Sequence, residues 1–302
     1  MRKGYPCQLI VSVLIVGLLV ALSGGATAAA VPRIQGELTI FSAASLTDAF
    51  REMAAQIEQA NPSTKLTFHF AGSPTLRTQL AQGARADVFA SADEPNMEGA
   101  KKDGTIDGKP QIFARNLLVV IIPANNSAGI NMLQDLAKAK LKLVLTNKDV
   151  PVGNYARQAL EQMSQNPAFG KDFSPRVLSN LASEETNVKQ VASKVQLGEA
   201  DAGMVYSTDV TPAIRSTVRV IQIPPEFNVI AKYPIAAVKD ARNAAGARAF
   251  IEYVLSPAGQ AILARHGFLV AGSMSVIRDA FNLAPMPYRA GALEQSDGAC
   301  HS

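Results

Sequence analysis

Leu38-Thr39-Ile40-Phe41-Ser42-Ala43-Ala44-Ser45-Leu46-Thr47-Asp48-Ala49-Phe50 is the stretch from which the fold is read. Residues 38–41 form a short run rich in apolar and β-branched side chains, a strand signal. From Ser45 the pattern changes: Leu46, Phe50, Met53 and Ile57 recur at spacings of 4, 3 and 4, which places them on one face of a helix. Asn61-Pro62 ends that helix. The same unit repeats outward along the chain. Strands are predicted over 65–70, 87–90, 117–122, 142–145, 202–206, 218–223 and 235–238. Helices are predicted over 75–82, closed by Gly83, and over 155–163, 188–197, 246–255 and 257–265. The unbroken apolar run 117–122 is that of a strand buried on both faces. Strands alternating with helices predict an α/β architecture with parallel sheets. The length beyond the first thirty residues is more than one small sheet uses, so two units are expected. There is no internal repeat. After Leu269 the pattern is less regular, and Pro285-Met286-Pro287 and Gly291 fit an extended tail.

Composition excludes several function classes. The chain has 302 residues, 48% hydrophobic and 18% charged, the profile of a folded globular protein. A net charge of +4, scattered along the sequence, gives no basic stripe for nucleic acid. Only His69, His266 and His301 are present, which excludes a histidine-rich metal site. The two cysteines, Cys7 and Cys300, lie near opposite ends, so neither an intrachain disulfide nor a cysteine zinc site is expected in a chain that loses its leader.

Residues 1–30 have the three parts of a secretory signal peptide. Arg2 and Lys3 supply the charge, an apolar run of 14 residues spans 9–22, and Ala26-Thr27-Ala28 or Ala28-Ala29-Ala30 offers a small-x-small cleavage site. A helix of that run is about 21 Å long, short of the roughly 30 Å hydrocarbon core. The alternative is an uncleaved anchor. Cys7 precedes the apolar run, unlike a lipoprotein attachment site. The expected location is periplasmic or otherwise extracytoplasmic.

Four junctions between strand ends and helix starts share one character: Ser42-Ala43-Ala44-Ser45, Ala71-Gly72-Ser73-Pro74, Pro151-Val152-Gly153-Asn154 and Thr186-Asn187-Val188. Each places unpaired backbone N–H groups at a helix N-terminus, which favours anions. Ser45 and Ser73 add hydroxyl donors, and Ala44, Gly72 and Gly153 are small enough to admit a ligand close to the backbone. In open α/β sheets ligands bind beyond the carboxyl ends of strands. A serine at a helix start is, however, also the ordinary N-cap, and Tyr206 alone fits a core edge. The pattern by itself supports a binder at strand ends.

The stretches 41–50, Phe70-Ala71-Gly72-Ser73, 83–93, Asn116 with 117–120, Pro151-Val152-Gly153-Asn154-Tyr155-Ala156, Gly203-Met204-Val205-Tyr206, Tyr233-Pro234-Ile235-Ala236 and His266-Gly267-Phe268 occur in collinear order. In these the chain resembles the periplasmic molybdate-binding proteins, the soluble receptors of ABC importers. The resemblance implies a two-lobed periplasmic-binding-protein type II fold, α/β, with two mixed or parallel sheets and a ligand cleft between the lobes. It implies one lobe from 37–117 plus 229–272 and another from 118–228, with 273–302 as a C-terminal tail outside the family pattern. It also implies a site: Ser45 and Ser73 donating by hydroxyl and N–H, Val152 and Val188 by N–H, and Tyr206 by its phenol. Molybdate, and tungstate with it, would be held as the oxyanion. No cofactor, no nucleic acid and no catalytic residue is implied; the partners are the anion and the membrane permease, and a monomer is expected. Two departures stand out: Pro74 removes one N–H beside Ser73, and Val152 stands where the family often has Ala.

Rival readings remain open at this level. One is another anion or ferric ion on the same fold, with Glu184-Glu185 either completing a higher-coordination site or forming a solvated acidic helix start. Another is an enzyme, for which no Ser-His-Asp order, phosphate loop or His-carboxylate cluster is evident. The third is a cytoplasmic sensing domain, against which the leader argues. His69 reads as a strand residue and His266 as a helix-end residue.

Overall fold

The computed structural model describes residues 33–270. The leader 1–30, the tail 273–302, Cys7, Cys300 and His301 lie outside them. In chain order the strands are β1 Gly36–Ala43, β2 Thr64–Ala71, β3 Val88–Ala90, β4 Ile106–Asn116, β5 Leu118–Pro123, β6 Leu143–Thr146, β7 Leu181–Glu185, β8 Ala202–Tyr206, β9 Val218–Gln222, β10 Ala231–Val238 and β11 Leu269–Val270. The α-helices are α1 Thr47–Ala60, α2 Ser73–Ala81, α3 Glu94–Lys102, α4 Pro151–Ser164, α5 Phe173–Leu178, α6 Val188–Gln196, α7 Ala244–Leu255 and α8 Pro257–Arg265.

The strands form two sheets, one per lobe. The first has the order β11-β4-β10-β3-β1-β2 and the second β7-β6-β8-β5-β9. Pairings made through a helix are parallel, as in β1 with β2 and β3, and β6 with β7 and β8. Both sheets are nevertheless mixed, which corrects the all-parallel expectation from βα alternation. The chain passes from β4 through Leu117 into β5 and returns from β9 into β10 with no crossover helix. The strands at these passages run against their neighbours: β10 against β3 and β4, β5 against β8 and β9. Asn228, on the return passage, holds both backbone groups of Leu118: Leu118 N–H donates to its Oδ1 at 3.0 Å and its Nδ2 donates to Leu118 O at 2.9 Å. The two passages therefore lie side by side, as a hinge requires.

Several elements were illegible in the sequence. β4 has no apolar run in its first half, Asp107-Gly108-Lys109-Pro110, because it is nearly an edge strand: β11 covers it at two positions. α3 is short and polar, and starts where Asp93 accepts a hydrogen bond from Asn96 N–H at 3.0 Å. The helix expected from Ser45 begins instead at Thr47, after a 3-10 turn over Ala44–Leu46, and the one expected from 155 begins at Pro151.

The first lobe's core is built on aromatic packing. Phe50 of α1 is fully buried and meets Phe250 of α7 edge-on at 5.5 Å and Phe113 of β4 at 5.9 Å. In the second lobe, Leu118 to Ile122 of β5 are all buried, as the unbroken apolar run predicts. Phe50→Ala should destabilise the protein by about 3–5 kcal/mol, the range for deleting a buried aromatic ring. Chemical denaturation measures this, and a loss below about 1 kcal/mol would show that α1 is not a core element.

Candidate functional site

All four junctions open onto one cavity between the lobes. Its wall carries Ser45, Ser73, Val152, Val188 and Tyr206 together, with Ala44, Gly72, Ala92 and Asn187 between them. Five residues up to 161 positions apart (206 − 45) thus converge, three from the second lobe and two from the first. The cavity leaves about 20 Å³ for the centres of water-sized molecules, room for one compact group. No charged side chain lines it.

Each junction delivers donors. Val152 sits in the first turn of α4, behind Pro151, and Val188 is the first residue of α6. Their N–H groups, and those of Ser45 and Ser73, find no acceptor among the described residues. Asn187 caps α6 by accepting from Gln190 N–H at 3.2 Å, which leaves Val188 N–H directed outward. Neither serine is an N-cap. Ser45 Oγ lies 2.9 Å from Tyr233 Oη, and Ser73 Oγ accepts from Ala92 N–H at 3.0 Å. The Tyr206 ring is buried and meets Tyr233 edge-on at 5.8 Å. Its hydroxyl is a buried polar atom without a hydrogen-bond partner. Burial raises its pKa well above the phenol's ordinary value, so the proton stays in place. An unpaired buried O–H costs about 1–3 kcal/mol, and a ligand acceptor in the cavity would recover that cost.

Two glycines have different tasks. A Cβ on Gly72 would come 2.4 Å from Thr186 O of the opposite lobe, so Gly72 permits the lobes to approach. A Cβ on Gly153 would strike Asn147 O at 2.3 Å and Thr146 O at 2.5 Å, and Gly153 does not line the cavity. Its smallness serves the packing of α4 on the preceding loop, which corrects the expectation that it admits the ligand.

Charge is arranged behind the wall. Lys189 of α6 donates to Asp48 of α1 at 2.9 Å, which ties the two lobes, and lies 3.8 Å from Asp209 Oδ1. Asp209 is buried and its Oδ2 accepts from Tyr206 N–H at 3.1 Å, fixing the backbone that carries the phenol. Burial pushes the Asp209 carboxyl up to about 6, and the Lys189 ammonium counteracts this only in part. Glu184 and Glu185 belong to β7, not to a helix start, and neither lines the cavity. Glu184 pairs with Arg157, and Glu185 with Lys194 at 2.6 Å. His69 packs against Phe41 at 5.1 Å, and His266 bonds Glu52 at 2.7 Å; both lie outside the cavity wall. Three supporting residues escaped the reading of strand ends: Ala92, Asp209 and Tyr233. Their signal is tertiary, since each acts through a backbone group or a hydroxyl of a distant element.

The pattern of the family described as bacterial extracellular solute-binding protein matches residues 38–269. The molybdate-binding protein ModA of Mycobacterium tuberculosis is 35% identical over 267 residues, covering 88% of this chain and 97% of that protein. The solved molybdate-binding protein of Azotobacter vinelandii superposes with a TM-score of 0.66 at 20% identity, covering 78% of this chain and 99% of the other. The sulfate-binding protein SubI of M. tuberculosis superposes with a TM-score of 0.71 at 16% identity, covering 84% and 93%. The chain belongs to the bacterial extracellular solute-binding protein family, and its architecture is the two-lobed binding-protein fold.

Gly72→Ala tests the meeting of the lobes. Gly72 has φ −63°, so alanine suits its backbone and the lobes should fold as before. The clash with Thr186 should hold them apart, read as a larger radius of gyration in solution scattering with ligand present. An unchanged radius would show that the lobes meet elsewhere. Asp209 gives a second test. Its folded pKa lies above the carboxylate value of 3.8, so the folded state holds the extra proton between about pH 4 and 6. Its contribution to stability therefore falls as pH rises through that window. Asp209→Asn, compared with wild type by thermal denaturation across pH 4–7, should remove this slope; parallel profiles would contradict it.

Proposed function

We propose that this protein captures molybdate outside the cytoplasm and delivers it to the membrane permease of an ABC importer, and that tungstate, nearly the same size, binds as well. The observation that carries the reading is the convergence of seven neutral donors on one uncharged cavity. These are the hydroxyl and N–H of Ser45 and of Ser73, the N–H of Val152 and of Val188, and the phenol of Tyr206. A donor-only cage suits a fully deprotonated oxyanion, and the M. tuberculosis relative bears the name of a molybdate-binding protein. Taken as a sphere, 20 Å³ of room for the centre of a 1.4 Å water corresponds to a void about 3 Å in radius, the scale of one tetrahedral tetraoxide.

Energetics are consistent with this. Hydrogen bonds to a charged partner contribute roughly 1.5–3 kcal/mol each, so seven exceed the roughly 8 kcal/mol of micromolar binding. Desolvation of the dianion and closure of the lobes consume the surplus. Because donors come from both lobes, the ligand stabilises the closed state, and that state is what the permease would recognise. In this reading 37–117 plus 229–272 form one lobe and 118–228 the other. Residues 1–30 serve as the export signal, no cofactor is needed, the protein acts as a monomer, and no reaction is catalysed.

Calorimetric titration with molybdate, tungstate and sulfate tests the reading. Molybdate and tungstate should bind with similar affinity and sulfate far more weakly; preferred binding of sulfate would overturn the assignment. Tyr206→Phe, Ser45→Ala and Ser73→Ala should each weaken molybdate binding by about 1–3 kcal/mol while the fold persists. Wild-type affinity in all three would return these residues to structural roles.

A further inference from the structure

Tyr233 lies outside the cavity wall, yet its hydroxyl is 2.9 Å from Ser45 Oγ. We propose that Tyr233 is a specificity-determining positioning residue: it occupies the acceptor lone pair of Ser45, so that Ser45 can only donate to the ligand. The inference rests on the oxyanion reading above and deepens it.

The direction of the protons follows from Asn116, the last residue of β4. Its Oδ1 accepts from Leu117 N–H at 3.0 Å and from Ser207 Oγ at 3.1 Å, so the amide orientation is fixed. Its Nδ2 then donates both protons, one to Thr208 Oγ1 at 2.8 Å and one to Tyr233 Oη at 3.3 Å. Tyr233 is fully buried, and burial raises its pKa, so it keeps its proton. With Asn116 donating to it, the proton of Tyr233 goes to Ser45 Oγ. The hydrogen of Ser45 is left for the cavity. Ser73 reaches the same state by a different route, since Ala92 N–H occupies its oxygen. Backbone N–H groups cannot accept. The two serine hydroxyls are thus the places where an acceptor could have faced the ligand, apart from the phenol of Tyr206, and both are filled from behind.

The chemical consequence concerns protonated anions. Hydrogen phosphate carries an O–H that needs an acceptor, whereas sulfate, of similar size, and molybdate carry none. A serine with a free lone pair would accept that proton. Tyr233 removes this option.

The test is competition of sulfate and phosphate against molybdate, at one pH, in wild type, Tyr233→Phe, Ser45→Ala and the double variant. Phenylalanine keeps the ring that packs on Phe113 and Phe268. In Tyr233→Phe, molybdate and sulfate affinity should fall about three- to tenfold, and the phosphate-to-sulfate affinity ratio should rise about tenfold. In the Ser45→Ala background, adding Tyr233→Phe should leave that ratio unchanged. A purely structural role would lower all three anions by one factor, in both backgrounds, and would overturn the inference while leaving molybdate binding by wild type intact. Ser45→Ala supplies a check that does not depend on the folding of the tyrosine variant. It should leave the phosphate-to-sulfate ratio of wild type unaltered, and a fall in that ratio would show Ser45 accepting from phosphate. Absence of oxyanion binding by wild type would remove the functional reading and this inference with it.

Discussion

Backbone N–H groups left over at the starts of helices are the constraint on which the rest of this structure depends. A helix cannot satisfy its first amides internally, and burying them unpaired is costly. Here they are partly buried and directed at one point, together with a phenol that has no partner. Such an arrangement persists in a folded protein when something else meets those donors. The absence of charged side chains from the wall defines the complement as a compact anion recognised by shape and by hydrogen bonds.

The topology explains why the donors converge. The chain crosses directly from β4 to β5 and back from β9 to β10, so the lobes join along two adjacent passages bridged by Asn228. The junctions around Ser45 and Ser73 belong to the first sheet and those around Val152 and Val188 to the second. Closure brings them face to face and needs a bare backbone at Gly72, which lies against Thr186 O. The Asp48–Lys189 pair spans the same gap. Recognition and closure are therefore one event, because the anion completes a surface that neither lobe has alone.

Much of this was legible in the sequence because it depends on local pattern. The 4-3-4 spacing from Leu46 to Ile57 marks α1, the apolar run at 117–122 marks β5, and Pro257 with Gly267 brackets α8 closely. The four junctions were recognisable as helix starts with small and polar residues, although single serines could not be told from caps. What escaped has a common physical origin. β4 is polar because it is nearly an edge. The mixed sheet direction depends on where the chain changes lobe. Gly153 was misread because the group its missing Cβ would strike is a backbone carbonyl, not a ligand. Tyr233 and Asp209 act across tertiary distance, on Ser45 Oγ and on Tyr206 N–H, and no spacing in the sequence announces that.

The central claim is that a tetrahedral oxyanion is held intact by neutral donors from both lobes. X-ray absorption at the molybdenum edge, on the protein titrated with molybdate, examines it at the metal itself. The account predicts an undistorted tetrahedral tetraoxide with no protein atom bound to molybdenum. An expanded first shell, with carboxylate oxygens or a phenolate on the metal, would contradict it.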